Sequence, residues 1–311
     1  MPGWPEERNR LAVAAPVLKL RSESLQAVRK FFVDHGFVET ETPVRIPAPA
    51  IELNIDAVPS GDEYLRTSPE LHMKRLLAAG YARIFQMGPC FRQNERGRFH
   101  NPEYTMLEWY RANAGYHDVL ADTKALLISV VREVLGQTTC RFQGAVIEFS
   151  GEWIYRTVSD VFMEYAGWDP VRDFDADRFD RDLVGRVEPR LSRECPTVLA
   201  DYPMEAAALA RPKPGADGVA ERWELYAGGV ELANAFGELI DPAEQRRRFV
   251  ACAAERKAQG KAAYPIDECF LESLGDMPAS AGVALGIDRL VMLLSGAESL
   301  DHVLPFRSPV G

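Results

Sequence analysis

Several groups of residues in this sequence could do chemistry together. In "FRQNERGRFHNPEYTMLEWYR" (91–111), a strand through 103–110 would alternate its side chains. Tyr104, Met106, Glu108 and Tyr110 then share one face, and Glu103, Thr105, Leu107 and Trp109 the other. A carboxylate beside a phenol suits an ammonium ligand, which needs an anion and a hydrogen-bond acceptor in a partly dry pocket. An edge strand with a solvated face would account equally for a single Glu. Arg92 stands where the preceding strand ends, and Arg is the side chain that forks onto phosphate or carboxylate oxygens. Arg96, Arg98 and His100 in the following loop could add donors to a polyphosphate.

A second hairpin, "RWELYAGGVELANAFGEL", is more specific. If its turn centres on Ala227 and Gly228, Glu224 and Glu231 face each other across the ladder, which is unfavourable unless a cation lies between them. Magnesium, bound through one or two carboxylates plus substrate phosphates, would resolve the conflict; another register would leave both carboxylates in water. Asn234, Phe236 and Glu238 share a face, whereas Glu231 has the opposite parity, so one site for all four requires a β-bulge near Ala233. Near the C-terminus, Gly286 turns a strand into a helix whose first turn holds Asp288 and Arg289. A cation there opposes the partial positive charge of the helix N-terminus, so an anion, either a ligand or a nearby acid, should accompany it. Together these groups suggest ATP plus a small amine-bearing substrate.

The elements that position these residues can be read from pattern. "RSESLQAVRKFFVDHGF" has helical apolar spacing, a Ser ahead as cap and Gly36 as stop, which makes residues 1–20 a loose N-terminal leader and 21–311 one catalytic domain. "FVETETPVRI" reads as a strand broken at Pro43, and "TSPELHMKRLLAAG" as a helix with Ser68 as cap, Pro69 at its first position and Glu70 in its first turn. "RIFQMGPCFR" and "PEYTMLEWYR" are strands joined by a polar loop of about nine residues, longer than most hairpin loops. Residues 116–138 are helical, 140–220 give no ordered reading, and Asp241 with Pro242 opens a polar helix. This order predicts an α+β fold, a mostly antiparallel sheet flanked by helices.

Composition narrows the class. Five scattered cysteines with no Cys-x-x-Cys pair argue against disulfides or a zinc knuckle and fit a reducing cytoplasm, and no stretch approaches the ~18 apolar residues of a membrane helix. A net charge of −10 weighs against a surface built to grip a nucleic-acid backbone. Dinucleotide, Walker, zinc-protease and serine-hydrolase motifs are missing, and the five histidines lack metal-ligand spacing.

The motifs also carry a resemblance. "FRQNERGRFHNPEYTMLEWY" resembles motif 2 of the class II aminoacyl-tRNA synthetases, "GVALGIDRL" their motif 3, and "FVETETP" their motif 1, with Pro43 as its proline. "TSPELHMKRLL", "HNPEYTMLEWY" and "ELANAFGEL" are most similar to the lysyl-tRNA synthetase branch. Those enzymes carry an anticodon-binding domain ahead of this core, whereas some twenty residues precede it here, so the chain looks like the free-standing elongation factor P–(R)-β-lysine ligases.

That resemblance implies an ATP-dependent, adenylate-forming ligase that joins (R)-β-lysine or lysine to a lysine ε-amine of elongation factor P, in the cytoplasm, as a homodimer, with no tRNA and no membrane. It implies Arg92 and Arg289 as the catalytic pair on the phosphates. Glu231, Leu232, Gly286, His100 and Asn101 would lie along ATP, and Glu224 and Glu231 would hold Mg2+. Ser68, Glu70, Glu108, Tyr110, Asn234, Phe236, Glu238 and Ala284 would enclose the amino acid. Where the family has a Glu two residues after the motif 2 Arg, this sequence has Asn94, with Glu95 next, so the implied adenine contact falls on one of these. Ala284 replaces the Gly of lysyl-tRNA synthetases; its methyl would crowd an α-amine and favour a β-amine. The rival implications are a minimal synthetase core charging tRNA or another amine, and an inactive regulatory paralogue.

Overall fold

A computed structural model of the protein describes residues 3–306. Among these, the main sheet has eight strands, ordered β1-β5-β6-β13-β12-β11-β10-β9. They are β1 (Val38–Glu39), β5 (Arg83–Phe91), β6 (Glu103–Ala112), β9 (Ile154–Thr157), β10 (Thr197–Pro203), β11 (Val219–Ala227), β12 (Val230–Gly237) and β13 (Ser280–Gly286). Pairing is antiparallel except at the two margins, where β1 joins β5 and β9 joins β10 in parallel. Short strands β2 (Arg45–Ile46), β3 (Pro59–Ser60) and β4 (Glu63–Leu65) form a small second sheet, and β7 (Thr139–Phe142) pairs with β8 (Ala145–Glu148). The helices are α1 (Trp4–Asp34), α2 (Glu70–Ala78), α3 (Tyr116–Leu135), α4 (Val158–Tyr165), α5 (Ala176–Asp182), α6 (Pro242–Ala258), α7 (Glu268–Ser273) and α8 (Ile287–Ser295). The α+β class read from the sequence is the observed one.

Alternation along the central strands divides the molecule. Leu107 and Trp109 of β6 and Val283 and Leu285 of β13 enter one core with α1, α3 and α8, while Tyr110 joins a second core with α2, α6 and α7. The second face is the one on which the polar strand residues collect.

The reading of residues 1–20 as a loose leader is corrected over its described part, because α1 runs unbroken from Trp4 through Pro16. Proline costs the helix one hydrogen bond and crowds the preceding turn, which is why it read as a boundary. Here the helix continues because its flanks are rich in Ala and Leu, and because Val17, Leu20 and Leu25 pack on the core. The serine read as a cap lies inside this helix. The Asp241 cap of α6 is present, accepting from the Ala243 and Glu244 amides.

Candidate active site

The site is built on two rungs that cross the sheet. One rung aligns Glu108 (β6), Ala284 (β13), Asn234 (β12) and Glu224 (β11); the next aligns Tyr110, Gly282, Phe236 and Arg222. The small residues of β13 form a floor, with a carboxylate and phenol on one side and an amide and aromatic ring on the other. A Cβ on Gly282 would collide with the Tyr110 ring and lie 2.7 Å from a Glu238 carboxylate oxygen, so only glycine permits this close approach. All of these side chains line a cleft of about 860 Å³.

The hairpin reading needs one correction. The turn is Gly228–Gly229, both with positive φ, and Glu231 pairs with Tyr226 while Glu224 pairs with Asn234. Glu224 and Glu231 are therefore not directly opposed. Two glycines at positive φ suit the tight turn that matches strand twist, so they displaced the Ala-Gly turn. The bulge required near Ala233 is present: the register shifts between Leu225 and Tyr226, leaving Leu232 as the extra residue. It brings Glu231 onto the cleft face with Asn234, Phe236 and Glu238.

At the inner end, Glu108 and Glu238 are 1 % exposed. Glu108 accepts from Ser68 Oγ (2.6 Å) and Tyr110 Oη (2.8 Å), and Ser68 Oγ accepts from the Glu70 amide (2.9 Å); α2 starts at Glu70, so the cap position is Pro69, one residue after the predicted Ser68. Burial, reinforced by Glu70, pushes Glu108 up to about 7. Burial likewise pushes Glu238 up to about 8, against the pull of Lys74. Lys74, fully buried, donates to Glu70 Oε1 (2.5 Å) and lies 2.6 Å from Glu238 Oε2, and these carboxylates hold its pKa above the usual range despite burial. Buried acids whose pKa rises in this way mark a place that lacks positive charge.

The outer end carries the cations. Arg92, just past β5, stacks over Tyr104 and lies 3.6 Å from Glu95; its buried Nε has no partner among the described residues. Arg289, in the first turn of α8, donates to the Glu231 carbonyl (2.7 Å) and carboxylate (3.2 Å) and to His100 Nε2 (2.8 Å). Burial and the Arg289 charge lower the His100 pKa, so its ring is neutral near pH 7 and accepts that bond. The acid predicted beside Arg289 is thus Glu231. Asn94, Glu95, His100, Asn101, Leu232 and Gly286 line the adjoining pocket of about 370 Å³ with Arg92 and Arg289.

Sequence reasoning missed several groups. Lys74 follows Glu70 by four residues on a helix, a spacing that announces an ion pair. Arg222, Tyr202 and Tyr226 hold Glu224, through contacts of 2.5, 2.6 and 2.7 Å. Tyr202 lies in the stretch that gave no ordered reading. Glu52, in the loop after β2, also lines the cleft. With Glu224 so engaged and Glu231 on Arg289, no cluster of three or more His, Cys, Asp or Glu among the described residues is arranged to hold a metal. Two carboxylates remain suited to a cation that brings phosphate oxygens with it. The unpartnered Arg92 nitrogen likewise fits a phosphate or carboxylate ligand.

Comparison with known proteins agrees with this architecture. The family model for tRNA synthetases class II (D, K and N) matches residues 9–309. Elongation factor P–(R)-β-lysine ligase of Vibrio cholerae is 38% identical over 94% of this chain and 95% of its own length, and that of Edwardsiella ictaluri is 39% identical over 94% and 96%. Lysine–tRNA ligase of Chromohalobacter salexigens is 37% identical over 93% of this chain but 63% of its own length. The chain belongs to the class II tRNA synthetase family, among relatives of the elongation factor P–(R)-β-lysine ligases.

Proposed function

We propose that this protein activates (R)-β-lysine with ATP and transfers it to a lysine ε-amine of elongation factor P. The observation that carries this reading is the floor rung: the Ala284 methyl sits between Glu108 and Asn234 in a carboxylate-rich pocket that needs cations. A diamino acid supplies two ammonium groups, and the methyl takes the space that an α-amine would need. Relatives named elongation factor P–(R)-β-lysine ligase, 38% and 39% identical to this chain, support the same reading.

In this reading Glu108, Tyr110, Asn234 and Glu238 receive the side-chain ammonium, with Phe236 as a wall, while Ser68 and Glu70 contact the other amine. Arg92 holds the substrate carboxylate against the α-phosphate, where the carboxylate oxygen attacks phosphorus in line and pyrophosphate leaves. Arg289 and His100 steady the leaving phosphates, with Leu232, Gly286 and Asn101 along the nucleotide and Asn94 or Glu95 at adenine. Mg2+, held by Glu224 and Glu231 with phosphate oxygens, would supply further charge neutralisation. Otherwise positioning and electrostatics do the work. We further infer a cytoplasmic homodimer through α1 and β1, where Val33 and Val38 are exposed.

Mass spectrometry of elongation factor P incubated with this protein, ATP and (R)-β-lysine tests the reading. The expected product is one acceptor lysine carrying the added acyl group. Unmodified elongation factor P alongside lysine-charged tRNA would favour the synthetase core instead, and absence of ATP–pyrophosphate exchange an inactive paralogue.

A further inference from the structure

Activation leaves a second step unprovided for. The acceptor lysine has an ordinary pKa near ~10.4, so at neutral pH it arrives as an ammonium that cannot attack. The inner carboxylates are committed: Glu108 to Ser68 and Tyr110, Glu70 and Glu238 to Lys74, Glu224 to Arg222 and two phenols, and Glu231 to Arg289. Glu188, held by Tyr226, sits among Glu224, Glu231 and Arg289.

Glu52 is different. Its side chain lines the cleft and has no hydrogen bond or ion pair among the described residues, while its backbone is firmly held. The fully buried Arg256 guanidinium donates to the carbonyls of Glu52 (2.7 Å), Ile55 (3.0 Å) and Ala262 (3.0 Å) and to Asp56 Oδ1 (2.6 Å). Asp56 in turn accepts from the amide of Gln93 (2.7 Å), the residue after Arg92. The loop bearing Glu52 is thereby tied to the arginine placed on the α-phosphate. The charged and titratable groups facing Glu52 are Arg92 and Glu95 beyond β5, Glu70 of α2, Arg222 of β11 and Cys252 of α6.

We propose that Glu52 is the proton acceptor for the transfer step, an inference that rests on the ligase reading above. Its carboxylate takes one proton from the acceptor ε-ammonium. The freed nitrogen lone pair attacks the carbonyl carbon of the aminoacyl adenylate, forming the C–N bond. The C–O bond to phosphate breaks with its electron pair leaving on AMP, steadied by Arg92. The second nitrogen proton passes to the departing phosphate, giving the amide, AMP and protonated Glu52, which then releases its proton to water. Burial pushes Glu52 up to about 7, with Arg92 opposing, which suits a base working near neutrality.

The test is single-turnover transfer from adenylate formed in place on wild-type enzyme, Glu52→Gln and Glu52→Asp. Elongation factor P is one nucleophile, and hydroxylamine, an amine already unprotonated at neutral pH, is the other. For Glu52→Gln, the ratio of protein acylation to hydroxamate formation at pH 7 should fall by about 100-fold, and the levelling of protein acylation above pH about 7 should be lost, the rate rising instead until the acceptor amine itself deprotonates at ~10.4. Glu52→Asp should restore that levelling at a reduced rate. An unchanged ratio, or a break near pH 7 that survives in Glu52→Gln, would overturn the assignment. Wild-type enzyme that forms no adenylate, or forms it without acylating the acceptor, would overturn the ligase reading and this inference with it.

Discussion

Replacing Lys74 by Met probes the charge arrangement beneath the cleft. The side chain is fully buried, with carboxylate oxygens at 2.5 and 2.6 Å. At an effective dielectric of about 20, each contact is a gross attraction of ~6 kcal/mol, most of it offset by the cost of taking the ions out of water. Removing one partner leaves that cost unopposed, so a loss of about 3–5 kcal/mol is expected. Its pH dependence is also fixed in sign. Burial raises Glu238 to about 8, so its contribution to stability is complete below the unfolded value and is lost as pH rises through 8. Without the ammonium, Glu238 is raised further, so the folded variant keeps above pH 8 the proton that the wild type loses there. One proton is a slope of ~1.36 kcal/mol per pH unit, so between pH 8 and 9 the gap between variant and wild type should widen by up to about 1.4 kcal/mol. Urea unfolding at pH 7, 8 and 9 measures it. A loss below ~1 kcal/mol, or a gap that narrows above pH 8, would refute the view of Lys74 as the cation that lets Glu238 ionise beside Glu70.

Gly282→Ala should abolish amino-acid-dependent ATP–pyrophosphate exchange while nucleotide binding by fluorescence titration survives, because the new methyl displaces Tyr110 and meets Glu238 on the floor, away from Arg289. Ala284→Gly should raise exchange with α-lysine relative to β-lysine by about 10-fold or more, the usual worth of one methyl group in a specificity pocket; an unchanged ratio would remove Ala284 from selection. Binding of the diamino acid near pH 7 should release protons, since a ligand ammonium pulls down the raised values of Glu108, about 7, and Glu238, about 8. Calorimetry in buffers of different ionisation enthalpy would show this, and a heat independent of buffer would contradict it.

What could be read in the sequence was whatever a strict period or a local rule enforces. The parity of β6, the strand-to-helix turn at Gly286 and the Asp241 cap are of this kind, and the bulge followed from requiring Glu231 and Glu238 in one site. The hairpin register was misplaced by choosing Ala-Gly over the Gly228–Gly229 pair, although the stronger turn signal was in the sequence. Pro16 misled because tertiary packing overrode a local penalty. Residues 140–220 stayed opaque because β9 and β10 pair in parallel at a sheet margin and the turn at Leu183–Val187 is π-helical, neither of which leaves a periodic trace. Tyr202 was hidden with them. Glu52 sits in a loop held by Arg256, some two hundred residues away, and no local pattern reports such a tie.

The aim of the cleft carboxylates is itself a product of the core. A one-residue slip of β6 would turn Glu108 and Tyr110 toward α1 and α3 and expose Leu107 and Trp109, because strand faces exchange with every residue. Both of those side chains are fully buried, and each contributes roughly 1.5–3 kcal/mol by burial. Glu108, by contrast, is costly to bury where it stands, as its raised pKa records. The apolar residues therefore set the register, and the acidic residues on the other face are carried, at a cost in stability, to positions where a cationic ligand is needed to neutralise them.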